Sequence, residues 1–167
     1  MHLFFLTLAA VCVSQNAHAA GPLEIGTGTV ELGGTATANL AIGNGNTSSW
    51  IQVAPSAGYF IADAVELLGG VNLTIAEGTS GAGFNLGARW VGQGSVRPYA
   101  GGTFGWGQTQ YLDLFAVDST AVTAMGGGLV PLGPKVAVDV GARMVFLPDF
   151  DAVQIPIGYL GVSGFFP

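Results

Sequence analysis

The chain has 167 residues, of which half are hydrophobic, 28 are glycine, four are Lys or Arg and ten are Asp or Glu. Soluble domains carry about a quarter charged residues, so a chain with 8% cannot clothe a water-facing surface in charge, and its composition points to lipid. A helical span needs roughly 18 consecutive apolar residues; past residue 20 every run is broken by Gly, Thr, Asn, Asp or Glu, which excludes helical spans and leaves the closed barrel, the other structure that satisfies its backbone inside a bilayer.

In chain order, Leu3 to Val13 is an apolar run, followed by the polar Ser14-Gln15-Asn16 and the small-x-small pattern Ala17-His18-Ala19. This reads as a secretory signal peptide over residues 1–19, with residues 20–167 as one barrel domain. Its removal takes away Cys12, His2 and His18, the only Cys and both His residues. Disulfides, thiol chemistry, His-based metal or haem ligation and His-based acid/base catalysis are excluded with them. No cofactor, metal or nucleic-acid partner is expected.

Turn-forming clusters then recur at 43–49, 62–63, 77–81, 92–95, 113–119, 131–134 and 147–151, and divide the mature chain into eight segments. Most suit a tilted membrane-crossing strand of about 9 to 11 residues. The first segment places Val30, Leu32, Ala36, Ala38 and Leu40 in one phase, and the second places Ile51, Val53, Ala57 and Tyr59 in one phase around Pro55. The third sets Val65, Leu67, Val71, Leu73 and Ile75 against Glu66, Asn72 and Thr74, and the fourth sets Phe84, Leu86, Ala88 and Trp90 against Asn85, Gly87 and Arg89. The sixth, Ala121 to Val130, has no clear phase. The seventh sets Val136, Val138, Val140, Ala142, Met144 and Phe146 against Lys135, Ala137, Asp139, Gly141 and Arg143. Period two with one apolar face predicts an antiparallel, all-β, eight-stranded up-and-down transmembrane barrel.

The charges choose between a soluble and a membrane barrel. Arg89, Arg97, Lys135 and Arg143 all fall in strands, in the phase opposite the apolar residues, and nearly balance Glu31, Glu66 and Asp139. Near-neutrality is what a narrow polar lumen requires, because each unpaired buried charge costs several kcal/mol. Glu66, Arg89 and Arg97 are placed to form one cluster; Lys135, Asp139 and Arg143 rise along one inner face toward Glu31. The lumen glycines Gly33, Gly87, Gly101, Gly105 and Gly141 leave room for water between them. Trp50, Phe84, Phe104, Trp106 and Phe146 are expected at the outer interface, with Tyr59, Trp90 and Phe165 or Phe166 at the inner one. Glu77, Asp113, Asp118, Asp149 and Asp151 have no Lys or Arg beside them and predict an acidic outer rim.

Ala57-Gly58-Tyr59-Phe60-Ile61-Ala62-Asp63, Val96-Arg97-Pro98-Tyr99-Ala100-Gly101-Gly102 and the closing Gly158-Tyr159-Leu160-Gly161-Val162-Ser163-Gly164-Phe165-Phe166 resemble the OmpA/OmpX/OmpW-type small outer-membrane β-barrel families. The resemblance covers the mature chain. It implies a bacterial outer-membrane location, outer-membrane lipid as the surroundings, and a terminal aromatic read by the barrel-assembly machinery, although here Pro167 follows Phe166. Enzymes among barrels of this kind lean on a His, which the mature chain lacks, so no catalytic residue is assigned. The expected function is a structural envelope anchor with a charged, plugged lumen. A narrow pore for small solutes and a surface protein binding an unknown ligand through the third and longest outer loop, Tyr111 to Asp118, are the alternatives.

Overall fold

Residues alternating between an apolar and a small or polar face suit a sheet whose two sides meet different surroundings, and such a sheet loses its unpaired edges by closing. The computed structural model describes residues 22–43, 46–76, 79–111, 115–150, 152–154 and 158–167. Its strands are β1 (Val30–Gly43), β2 (Asn46–Ala62), β3 (Val65–Ala76), β4 (Thr79–Val91), β5 (Arg97–Tyr111), β6 (Phe115–Gly133), β7 (Val136–Leu147), β8 (Ala152–Gln154) and β9 (Tyr159–Phe166), with a 3-10 turn at Pro148–Phe150. Each pairs antiparallel with its neighbours, and the β6–β7 and β1–β9 ladders close the circuit. β8 and β9 both lie on the flank of β7 away from β6, one beyond the other, so they are two pieces of a single eighth wall strand. Gly158, at φ 112°, takes the left-handed conformation where the chain enters β9.

Residues 63–64, 92–96 and 134–135 connect strands at the end where Val30 and Phe166 pair. We refer to this as the inner end. The outer turns are shorter than the turn-forming clusters suggested, because the ladders run to Gly43↔Asn46, Ala76↔Thr79 and Tyr111↔Phe115. Polar residues such as Gln108 and Thr109 end the apolar belt without ending the hydrogen-bonded ladder. Among the outer connections the longest is therefore the last, residues 148–151, and not the third. The proposed signal peptide lies outside the described residues.

The apolar phase faces out. Leu86 is 64% exposed, Leu160 60% and Phe104 58%, within a belt that also includes Val71, Leu73 and Val140. A continuous apolar surface of this extent is unsustainable in water and suits acyl chains. Phe84 and Trp106, register partners near the outer side, stack at 5.8 Å, while Tyr59, Trp90 and Phe166 are exposed near the inner end. Phe165 points the other way and is buried. The sixth segment resolves too: Val122, Ala124 and Leu132 face out and Leu129 faces in. Gly126-Gly127-Gly128 hid that phase, since three residues without side chains carry none.

The inner mouth is crossed by the segment before β1. Its Gly26 to Thr29 turn is held beside the β2–β3 connection, where Asp63 Oδ1 accepts from Thr27 N (3.1 Å) and Thr27 Oγ1 (2.9 Å) and Gly28 N donates to Phe60 O (2.8 Å). Three residues earlier the strap is held on the far side of the circuit. There Glu24 N donates to Pro134 O at 2.8 Å and Arg97 Nη2 donates to Leu23 O at 2.7 Å. Leu23 is only 2% exposed and joins Phe60, Val91, Tyr99, Leu129, Ala137 and Phe165 in one buried cluster at this end.

The lumen as candidate functional site

Gly58, Arg89, Gly127, Asp139 and Ser163 each stand two residues deeper into their strand than Phe60, Val91, Leu129, Ala137 and Phe165, so one inward layer of polar residues rests on an apolar floor. Arg89 is the hub of that layer. Its Nε donates to Glu66 Oε2 at 2.6 Å, Nη2 pairs with Glu31 Oε2, and Nη1 lies 3.6 Å from Asp139 Oδ2. Ser163 Oγ donates to Glu31 Oε1 at 2.7 Å, and Tyr99 O–H donates to Asp139. Tyr99 also presents its ring to Arg89 at 5.0 Å. A guanidinium with five fixed donors is the side chain that can hold three carboxylates at once.

The layer is filled by pairing large residues with glycines. Glu66 is wholly buried, and its Oε1, which has no hydrogen-bond partner among the described residues, rests where a Cβ on Gly58 would stand. The Tyr99 hydroxyl likewise occupies the room left by Gly127 and Gly141, Arg89 that of Gly101, and Ser163 that of Gly33. At these positions the missing side chain lets a neighbouring strand or side chain approach the backbone closely.

The seven lumen charges expected from the sequence divide into four groups. Glu31, Glu66, Arg89 and Asp139 form the layer. Arg97 sits below it on the strap carbonyl and, among the described residues, has no carboxylate partner and a buried Nε without a hydrogen bond. Arg143 sits above, with Nη2 3.0 Å from both Thr37 Oγ1 and Gln52 Oε1 and its guanidinium 5.5 Å from the Tyr159 ring. Lys135 is a correction: it is an exposed member of the two-residue β6–β7 turn, where its ammonium reaches water freely. Without it the lumen still holds three carboxylates, on Glu31, Glu66 and Asp139, and three guanidiniums, on Arg89, Arg97 and Arg143.

Tyr99, Tyr159 and the strap carry the arrangement and were not singled out from the sequence. The Tyr159 hydroxyl bonds that of Tyr99, which makes one connected chain from Arg143 through both tyrosines, Asp139 and Arg89 to Glu31 and Glu66. The inward phase of Tyr99, two residues after Arg97, was a readable signal. The strap has no periodicity to read.

Above the layer, inward residues such as Thr35, Gln52, Asn72, Asn85 and Thr103 are half-buried, so solvent reaches them. Two members of the expected acidic rim, Asp118 and Asp149, fall among the described residues. Glu77, Asp113 and Asp151 lie outside the described residues. Asp118 belongs to β6 and not to a loop, and its Oδ1 accepts from Gln108 Nε2 at 3.0 Å. Asp149 Oδ2 accepts from Thr120 N at 2.6 Å and from Thr120 Oγ1 at 2.9 Å. Those two donors, the backbone amide first, hold the Asp149 carboxyl below the usual carboxylate range. Among the described residues no group of three or more His, Cys, Asp or Glu is placed to hold a metal ion.

A closed eight-stranded wall, apolar outside and polar inside, superposes on solved bacterial barrels over nearly their full lengths. The N-terminal β-barrel domain of Pseudomonas aeruginosa OprF matches with a TM-score of 0.68 at 16% identity, covering 84% of this chain and 99% of that one. The chain has the fold of the small outer-membrane β-barrels. Neisserial surface protein A matches at 0.58 and 17% identity, covering 83% of this chain and 96% of that one. The outer membrane protein OprG of P. aeruginosa matches at 0.57 and 13% identity, covering 85% and 97%. No protein-family model matches the chain, and no curated relative matches it in sequence.

Proposed function

We propose that this chain is an integral protein of the bacterial outer membrane, exported on residues 1–19, that serves as a structural envelope element with a closed lumen. The observation that carries the reading is the double seal at the inner end, where the strap and its buried Leu23 lie under an apolar floor and the charge layer lies over it. Ion flow needs a continuous wet path, and two successive buried layers oppose one. Its partners are acyl chains around the belt and, during biogenesis, the assembly machinery, to which the last strand offers the outward Phe166. The reading is non-catalytic, supported by the lack of His and Cys in residues 20–167 and by neighbours described as barrels and surface proteins.

Planar-bilayer recording tests it. The intact barrel should be electrically silent, and a variant lacking residues 22–28 and carrying Arg89→Ala and Glu66→Ala should conduct. Steady conductance through the intact barrel would instead support the narrow pore. A second reading, a surface binding role, is favoured by one observation. Past Trp106↔Thr120 the β5–β6 ladder continues through five more pairs to Tyr111↔Phe115, which at about 3.3 Å per residue carries the hairpin roughly 16 Å further along the strand. Capture of a surface ligand by the intact barrel and not by one with this hairpin shortened would establish it.

A further inference from the structure

The three lumen guanidiniums are not equally satisfied. Arg89 is enclosed by three carboxylates, and Arg97 has the strap carbonyl. Arg143 has, among the described residues, only two neutral oxygens, both taken by Nη2, and an aromatic face. Its Nε and Nη1 make no hydrogen bond with the described residues, yet they are not among the buried polar atoms left without a partner. Among the described residues, three N–H donors of Arg143 are thus left without a hydrogen-bond acceptor inside the barrel.

The surroundings of Arg143 are those of a receptor for negative charge. Above the Arg89 layer it is the one charged lumen side chain among the described residues, and the half-buried inward residues around this upper lumen are neutral hydroxyls, amides and glycines. A charged donor in a partly desolvated site gains more from an ionised acceptor than from a neutral one. The carboxylates that oppose an incoming anion lie below, tied up on Arg89, Ser163 and Tyr99. We propose that Arg143 is an oxyanion-binding site at the bottom of the outward-facing lumen. It takes a carboxylate or phosphate group small enough to enter an eight-stranded barrel, with Thr37, Gln52 and Tyr159 holding the guanidinium in place. The inference rests on the closed-lumen reading for the direction of approach, from the outer mouth, but not for the chemistry of the site.

The experiment follows the Arg143 Nε–H resonance in the full refolded barrel. In an uncharged detergent, inorganic phosphate is titrated against chloride at matched ionic strength. In a second arm no phosphate is added and the barrel is placed in nanodiscs with or without anionic phospholipid. A saturable shift in the first arm identifies a soluble oxyanion as the ligand; a shift in the second alone identifies a lipid headgroup. Arg143→Lys, which keeps the charge but loses donors, should weaken binding about tenfold, the order expected for one charge-assisted hydrogen bond, as read at the Tyr159 ring. Arg143→Gln should abolish the response and Lys135→Gln should leave it intact. A resonance that moves in neither arm, or a Tyr159 response that survives Arg143→Gln, overturns the site. Because binding is read without current, a barrel that conducts and still binds would fail the closed-lumen reading alone, and a silent barrel that does not bind would fail this inference alone.

Discussion

Glu66 and Gly58 show how finely the lumen is fitted. The carboxylate of Glu66 lies where any side chain at 58 must go, so Gly58→Ala should cost about 1–3 kcal/mol by overpacking. Gly133, whose added Cβ would meet nothing within 4 Å, should accept alanine almost without effect, and urea unfolding in liposomes compares the two. The same assay tests the ion pairs. Removing Arg89 strands Glu31, Glu66 and Asp139 without their shared cation, so Arg89→Met should destabilise by about 3–5 kcal/mol and adding Glu66→Gln should recover only part of that, whereas Glu66→Gln alone, which leaves Arg89 two carboxylates, should cost less. Small, independent effects would mean that water already solvates the layer. Outside the membrane, Asp149 accepts the Thr120 amide most strongly as a carboxylate. Because its folded pKa is lowered, the tie is present at pH above the ordinary carboxylate value of about 3.9 and is lost as pH falls through the lowered one. The Thr120 amide shift should therefore hold steady from neutral pH down to about 4 and move only below it, and Asp149→Asn should remove that transition.

At the scale of elements, facing is the property with the largest consequence, since one residue of slip exchanges lipid for lumen. Val71 and Val140 face out near the middle of their strands, so arginine at either should cost roughly 2–4 kcal/mol of folding free energy in bilayers, against much less at an exposed turn residue such as Lys135. This facing was legible in the sequence wherever side chains alternate, as in β3, β4 and β7. It was not legible in β6, where Gly126 to Gly128 carry no phase. Candidate charges were legible for the same reason, but their partners were not. Strand tilt, and not spacing along one strand, brings Glu31 of β1, Glu66 of β3 and Asp139 of β7 to one guanidinium. Lys135 was misread because alternation continues formally into a two-residue turn, where there is no inside for a side chain to face. The strap escaped notice because its ties are backbone groups, one threonine and one leucine, with no periodic pattern to announce them.

For the whole molecule, lumen charge and surface character separate cleanly. Most of the formal net charge of −6 comes from groups away from the balanced lumen, which leaves the wall free of charge at mid-height and lets a closed hydrogen-bonded cylinder persist where its single strands would not. A cylinder of this kind should survive detergent without boiling, so heated and unheated samples should migrate differently in gel electrophoresis; identical mobility would contradict the closed wall. The strap adds a constraint in time. Leu23 precedes every strand in synthesis, yet the seat it fills includes Phe165 from the final strand, and both Glu24 and Phe165 bond the β6–β7 turn at Pro134 and Lys135. The first part of the barrel domain to be made is thus among the last to find its place. Until β1 meets β9 there is no complete base to receive it, and the unseated strap is a marker, readable by protease, of a barrel still open along its seam.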